Sequence, residues 1–221
     1  RKGCANMEYG IQMYSVRDIT KDDLRGALKR IADIGYRWVE FAGFFGHSAR
    51  EVRGWLAEYG LKVSGTHTGL KELDEDFDAT VQYHKTLGNR HYIIPGHDLS
   101  DQNKLDAFIE KVNAYAPVLA KEGIQLGYHN HSHEFQPNRD GSMIHEQLVC
   151  RTDLRLEIDT FWYYNATGFS AKGILERLKD RIDFIHIKDG FRGGEGKPLG
   201  YGQAPLREVS DTATAHHMHL V

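Results

Sequence analysis

The chain has 221 residues, 40% of them hydrophobic and 27% charged, and a formal net charge of −3 with histidine neutral. That length suffices for one substantial core, and the composition is that of a folded globular protein rather than a disordered chain. The charge excludes a global basic field for nucleic acid or anionic lipid, and no apolar run approaches the ~20 residues needed to cross a bilayer.

Arg1-Lys2-Gly3-Cys4-Ala5-Asn6 has no apolar segment behind its two charges, so it is not an intact signal peptide. The expected compartment is the cytoplasm, with a processed secreted or periplasmic form as the alternative. From Tyr9 onward strand-like and helix-like patterns alternate. The strand patterns are Tyr9–Met13, Arg37–Ala42, Lys62–Thr68, His91–Ile94, Ile124–Asn130, Leu154–Asp159, Asp183–Lys188 and His217–Val221. Helical patterns separate them at Lys21–Ile34, Ala49–Tyr59, Asp76–Leu87, Gln102–Lys121, Met143–Cys150, Ala171–Leu178 and Leu206–Ala215. Gly35, Gly60, Gly88 and Gly123 follow four of the helices, where a left-handed residue is wanted. Cys4 and Cys150 are far apart in sequence, and two free thiols is the expected state.

Such alternation predicts a (β/α)8 TIM barrel spanning residues 1–221 as one domain. The chain stops inside the eighth strand pattern with no closing helix, so it reads as C-terminally truncated. Strand parity turns Leu154, Leu156 and Ile158 toward the helices and Arg155, Glu157 and Asp159 into the barrel. Likewise Glu40, Gln125, Gly127, His129, Phe184, His186 and Lys188 face inward. So many interior polar groups need partners, which a ligand- and metal-binding cavity would supply.

Three segments end strand patterns in oxygen or imidazole donors: 129–135, 157–162 and 184–190. Glu134 and Asp159 are 25 residues apart, Asp159 and His186 27, about one βα unit each. Groups at such intervals converge at the C-terminal rim of a barrel, so Glu134, Asp159 and His186 form a candidate metal site.

Together with Tyr9–Asp18, Val39-Glu40-Phe41, Gly65-Thr66-His67 and Gly196–Gly202, these segments resemble the xylose isomerase-like TIM barrel superfamily, the sugar phosphate isomerase/epimerase group. The resemblance implies a divalent cation, Mn, Mg, Co or Zn, held by Glu134, Asp159, His186 and an eighth-strand glutamate not reached before Val221. It implies that Arg192 contacts substrate oxygens. Trp162 stands where the 3-epimerases carry a histidine, a departure that weakens transfer of their substrate.

The expected chemistry is proton abstraction next to a sugar carbonyl through a metal-stabilised enediolate, giving isomerisation or epimerisation. Glu134 is the expected base. Lys188 and Arg192 would bind substrate, and His67, His131, Glu40 and Trp162 would line the sugar site. An inosose-dehydratase-type lyase is the alternative. A non-catalytic sugar-binding barrel and an endonuclease IV-like nuclease rank lower, the nuclease for lack of an Asp-x-His pair after His186 and of positive charge. The expected partner is a small sugar or sugar derivative, with no nucleic acid and no membrane, and a homo-oligomer is allowed. Bland readings stand beside these: Asp159 as a helix N-cap, Glu40 in an interior salt bridge with Arg155 or Lys188, His186 as a satisfied interior histidine.

Overall fold

Alternating apolar residues make the strands, and the computed structural model describes residues 9–221. The first third runs β1 (Gly10–Gln12), a 3-10 turn, α1 (Arg17–Thr20), α2 (Leu24–Ile34), β2 (Trp38–Phe41) and α3 (Ala49–Tyr59). Then come β3 (Lys62–His67), α4 (Leu70–Glu75), α5 (Phe77–Leu87), β4 (His91–Ile94) and α6 (Gln102–Lys121). After β5 (Gln125–His129), a 3-10 turn at His133–Phe135 and α7 (Ile144–Arg151) lead to β6 (Arg155–Asp159) and α8 (Thr160–Thr167). The chain continues through α9 (Lys172–Leu178), β7 (Ile182–His186), β8 (Asp189–Gly190), β9 (Gly196–Lys197), α10 (Leu206–Ala215) and β10 (His219–Leu220).

Eight parallel strands form one sheet in the order β1-β2-β3-β4-β5-β6-β7-β10, while β8 and β9 make a separate antiparallel hairpin. A Cβ built on Gly10 of β1 would lie 3.1 Å from Val221 Cγ2 and 3.6 Å from the Leu220 carbonyl oxygen. The first and last strands are therefore side by side, and the sheet curls into a nearly closed TIM barrel. Every expected strand is present, most of them shorter at the ends. Three short helices were not expected: α1, α4 and α8, the last starting directly after Asp159.

The apolar core lies outside the barrel, between strands and helices. Val39, Phe41, Leu126, Tyr128, Leu156, Ile158 and Ile185 are buried there, as parity requires. Polar residues fill the interior instead: Glu40, His129, Glu157, Asp159 and His186 are all at most 5% exposed. The register slips between Val39 and Glu40 against β3, and again between Leu156 and Glu157 against β7. Both interior glutamates thus follow a local break in the ladder, the device that re-aims a side chain.

Capping sets several helix starts. Ser48 heads α3 with a full capping box, its hydroxyl accepting from Glu51 N and the Glu51 carboxylate accepting from Ser48 N at 2.9 Å. Replacing Ser48 with Ala should lower unfolding free energy by about 1 kcal/mol, read as a reduced urea midpoint at unchanged slope.

Candidate functional site

Five strands deliver the polar interior. Glu40 comes from β2, His67 from β3, His129 from β5, Glu157 and Asp159 from β6, and His186 from β7. Deepest is a ring of four groups. His67 Nε2 lies 2.6 Å from Glu157 Oε2 and 3.3 Å from Glu40 Oε2, while His186 Nε2 lies 2.8 Å from Glu40 Oε2 and 3.3 Å from Glu157 Oε2. Gly65 makes room for this: a Cβ there would be 3.2 Å from Glu40 Oε1 and 2.9 Å from Ile93 Cδ1.

The ring polarises its members. Burial and then the Glu157 charge push the Glu40 carboxyl up to about 7. Burial would also raise Glu157, but the His186 and His67 charges outweigh it and hold that carboxyl well below the usual range. Burial works against charge on both imidazoles, and the two carboxylates overcome it, His186 being raised well above its ordinary value. The proposed salt bridge of Glu40 with Arg155 or Lys188 is not formed. Arg155 instead pairs with Asp183 at 2.6 Å, and His186 and His67 take its place beside Glu40.

Above the ring, at the C-terminal rim, Asp159 is the hub. Its Oδ2 lies 3.3 Å from His129 Nε2, 3.3 Å from Lys188 Nζ and 3.9 Å from His186 Nδ1. Its Oδ1 accepts the Trp162 N–H at 2.9 Å, capping α8. Asp159 is both a helix cap and a rim ligand candidate, one oxygen for each task. Burial opposes its charge, yet the His129 hydrogen bond and the Lys188 ammonium hold the carboxyl at about 2. Burial keeps His129 neutral, lowering it to about 4, and its Nδ1 is buried without a hydrogen-bond partner. One donor atom each from His67, His129, Glu157 and His186 falls within 4.8 Å of all the others, close enough to hold a metal ion.

Glu134 stands apart from that group. The 3-10 turn folds it under the rim, where Oε1 accepts from the Tyr128 hydroxyl at 2.7 Å and Oε2 from the His131 N–H at 2.8 Å. His133 Nε2 is 3.3 Å from its Oε1. The structure thus brings Asp159 and His186 together and sets His129, rather than Glu134, against Asp159. Sequence parity places His129 inward at the last position of β5, which is the signal for it. Lys188 lies beyond the end of β7, half-exposed, with Nζ 4.8 Å from the Trp162 ring centroid. His131 is next to both Trp162 and His129, at 5.9 and 4.9 Å between centroids, and burial lowers it to about 4. Arg192 is exposed and lies over Gly168, where a Cβ would meet its guanidinium at 2.8 Å. Cys150 is a free, exposed thiol, whereas Cys4 and the rest of the N-terminal hexapeptide lie outside the described residues.

Asp189 lies in the 184–190 segment, but the sequence pattern assigns it no role of its own. Buried at 2% exposure, its carboxylate accepts four backbone N–H groups, from Gly190, Gly200, Gly202 and Ala204, at 2.8 to 3.1 Å. One side chain therefore fixes both ends of the 190–204 segment beside the rim. Gly202 is required there, since a Cβ would fall on the Asp189 carboxylate.

Residues 28–217 match the family model described as xylose isomerase-like TIM barrel. The chain belongs to that family. The fold of this xylose isomerase-like barrel is shared with solved structures of low sequence identity. A sugar phosphate isomerase/epimerase from Parabacteroides distasonis superposes with a TM-score of 0.81 at 21% identity, covering 100% of this chain and 87% of the other. A probable 3-DHS dehydratase from Bacillus anthracis gives 0.76 at 12%, covering 97% and 91%. A D-allulose 3-epimerase from Methylomonas gives 0.71 at 14%, covering 97% and 83%. No curated protein matches the sequence.

The Asp159 carboxyl is lowered on folding, so the stability it contributes is fully present above about pH 4 and is lost as pH falls through about 2. In metal-free protein the difference in unfolding free energy between wild type and Asp159→Asn should shrink by about 2 kcal/mol between pH 5 and pH 2, measured by urea titration at each pH. Asp189→Asn keeps one acceptor oxygen and places an amide NH2 against backbone N–H groups. It should destabilise the protein by about 1–3 kcal/mol and expose the 190–204 segment to limited proteolysis.

Proposed function

We propose that this barrel is a metal-dependent sugar isomerase or epimerase that removes a proton next to a carbonyl. The observation that carries the reading is the rim cluster, in which one Asp159 oxygen is approached by His129 Nε2, His186 Nδ1 and Lys188 Nζ. Sugar isomerases and epimerases among the proteins sharing this fold support the substrate class.

The donor set fits a divalent cation. Two imidazole nitrogens and a carboxylate oxygen suit Zn, Mn or Co, and His129 Nε2 already stands 3.3 Å from the Asp159 oxygen. In this reading Asp159, His129 and His186 hold the ion. When bound, it supplies Lewis-acid stabilisation of charge on substrate oxygens. Glu134 keeps the His131 backbone in place by accepting its N–H, and so positions the imidazole. His131, held neutral by burial, takes the proton from carbon. Lys188 binds the oxygen on which charge develops, and Trp162 offers an apolar face for the sugar ring. Arg192 and the Asp189-pinned segment confine the ligand from the side. His67 and Glu40 lie beneath the rim and orient His186 rather than touch sugar.

Lys188 favours a second reading, β-elimination. An ammonium beside Asp159 can protonate a departing hydroxyl, so that water leaves as the carbanion collapses to an alkene. Incubating the metal-loaded protein with ketoses and keto-cyclitols in D2O separates the two by NMR. Deuterium entering next to the carbonyl without loss of water is expected, and a dehydrated product selects the lyase. His131→Gln should lower exchange by about 10²-fold or more, while metal content stays at the wild-type level.

A further inference from the structure

The ring of Glu40, His67, Glu157 and His186 holds more acceptors than its protons can serve. Each imidazole Nε2 has at most one proton to give, yet each faces two carboxylates. Glu40 Oε1 and Glu157 Oε1 are buried and make no hydrogen bond. Two carboxylates at most 1% exposed therefore share the same two donors inside the barrel. Leaving an ionised oxygen unpaired in such a place costs several kcal/mol.

The geometry suggests what is meant to sit there. Nitrogen and oxygen alternate around the ring, with sides of 2.6, 3.3, 2.8 and 3.3 Å. Ligand atoms around a tetrahedral ion with bonds of about 2 Å stand about 3.3 Å apart, so the longer sides already match and the shorter two need open by only several tenths of an ångström when an ion replaces the shared protons. Four ligands from four separate strands, two neutral and two anionic, make a closed and electrically balanced set for a dication. Both glutamates follow the two register slips of the barrel, so the backbone departs from regular pairing where these side chains need aiming.

We propose that the barrel interior binds a divalent cation of the zinc class through His67 Nε2, His186 Nε2 and the carboxylates of Glu40 and Glu157. This site is deeper than the rim cluster and shares only His186 with it, so it does not rest on the rim reading. Binding displaces the imidazole protons from both Nε2 atoms to solvent and leaves two neutral nitrogen ligands. With the rim unfilled, His186 keeps its proton on Nδ1; filling both positions removes that proton as well. With all four positions taken by protein atoms, the interior ion's role is to lock β2, β3, β6 and β7 together.

The test is metal stoichiometry on the full chain. Protein stripped with dipicolinate is dialysed against cobalt(II) and then analysed for metal and for visible absorption. Two ions per chain are expected in the wild type. One is expected in Asp159→Asn, with the intense bands of four-coordinate cobalt, and one in His67→Gln and Glu157→Gln, with those bands lost. Calorimetry of zinc binding to Asp159→Asn in buffers of different ionisation heat should show proton release. The wild-type count guards against variants that fail to fold, which circular dichroism would reveal. A wild type that takes up no ion, or an Asp159→Asn variant that takes up none while remaining folded, overturns the interior site. So does metal content left unchanged by His67→Gln and Glu157→Gln, which would leave the rim reading standing. An ion retained in Asp159→Asn and absent from His67→Gln upholds the interior site even if no sugar is turned over.

Discussion

Two glutamates placed inside a nearly closed barrel are the constraint around which the rest of the molecule is arranged. Glu40 and Glu157 are at most 1% exposed, and among the described residues neither meets an arginine or lysine. The compensating groups are imidazoles, which can carry a proton or offer a lone pair as the occupant requires. A guanidinium in the same position would satisfy the carboxylates permanently and close the interior to any ion. Replacing the glutamates by aliphatic residues would be the simpler route to a stable barrel, as buried ion pairs often give way to packed apolar groups at no cost. Retaining four polar groups where methyl groups would serve is a pattern found where an interior has work beyond packing.

The same economy governs Asp159. One oxygen caps α8 through Trp162 N, and the other faces His129, His186 and Lys188. The helix begins at the residue after the strand ends, so the first turn cannot drift without moving the carboxylate. A functional group that doubles as a cap is held in a single rotamer by the backbone it caps. Around this fixed carboxylate, His129 and His186 are buried with it, whereas Lys188 reaches it from a half-exposed position.

Much of this was legible in the sequence. Period-two patterning located all eight strands, and parity correctly turned Glu40, Glu157, Asp159, His129 and His186 away from the helices, because an apolar outer layer leaves only one face for polar residues. Asp159 and His186 are last residues of their strands, where direction follows from parity and position from register. Glu134 lies five residues past the end of β5, in a 3-10 turn whose path depends on Tyr128 and the His131 N–H. Spacing beyond a strand end carries no direction, so its orientation could not be read. The partner of Glu40 was equally hidden: the contact to His186 joins residues 146 apart and exists only once the sheet curls. Asp189 illustrates a third kind of blindness, since its four acceptor contacts are all to backbone N–H groups that leave no trace in side-chain pattern.

His186 is the point at which the interior and the rim become one system. Its Nε2 faces Glu40 and Glu157, and its Nδ1 faces Asp159. An imidazole has two ring nitrogens and at most two protons, so whatever occupies one side sets what the other side can offer. The carboxylates that hold a proton on Nε2 also favour the doubly protonated ring, so Nδ1 presents a lone pair at the rim only once its own proton has left. With a cation below, the proton on Nε2 is gone and the donor strength of Nδ1 changes. Lys188 stands 3.3 Å from the same Asp159 oxygen and feels that change directly. The depth of the barrel is therefore part of the rim's electrostatics, although a carboxylate on β2 is far along the chain from the groups it governs.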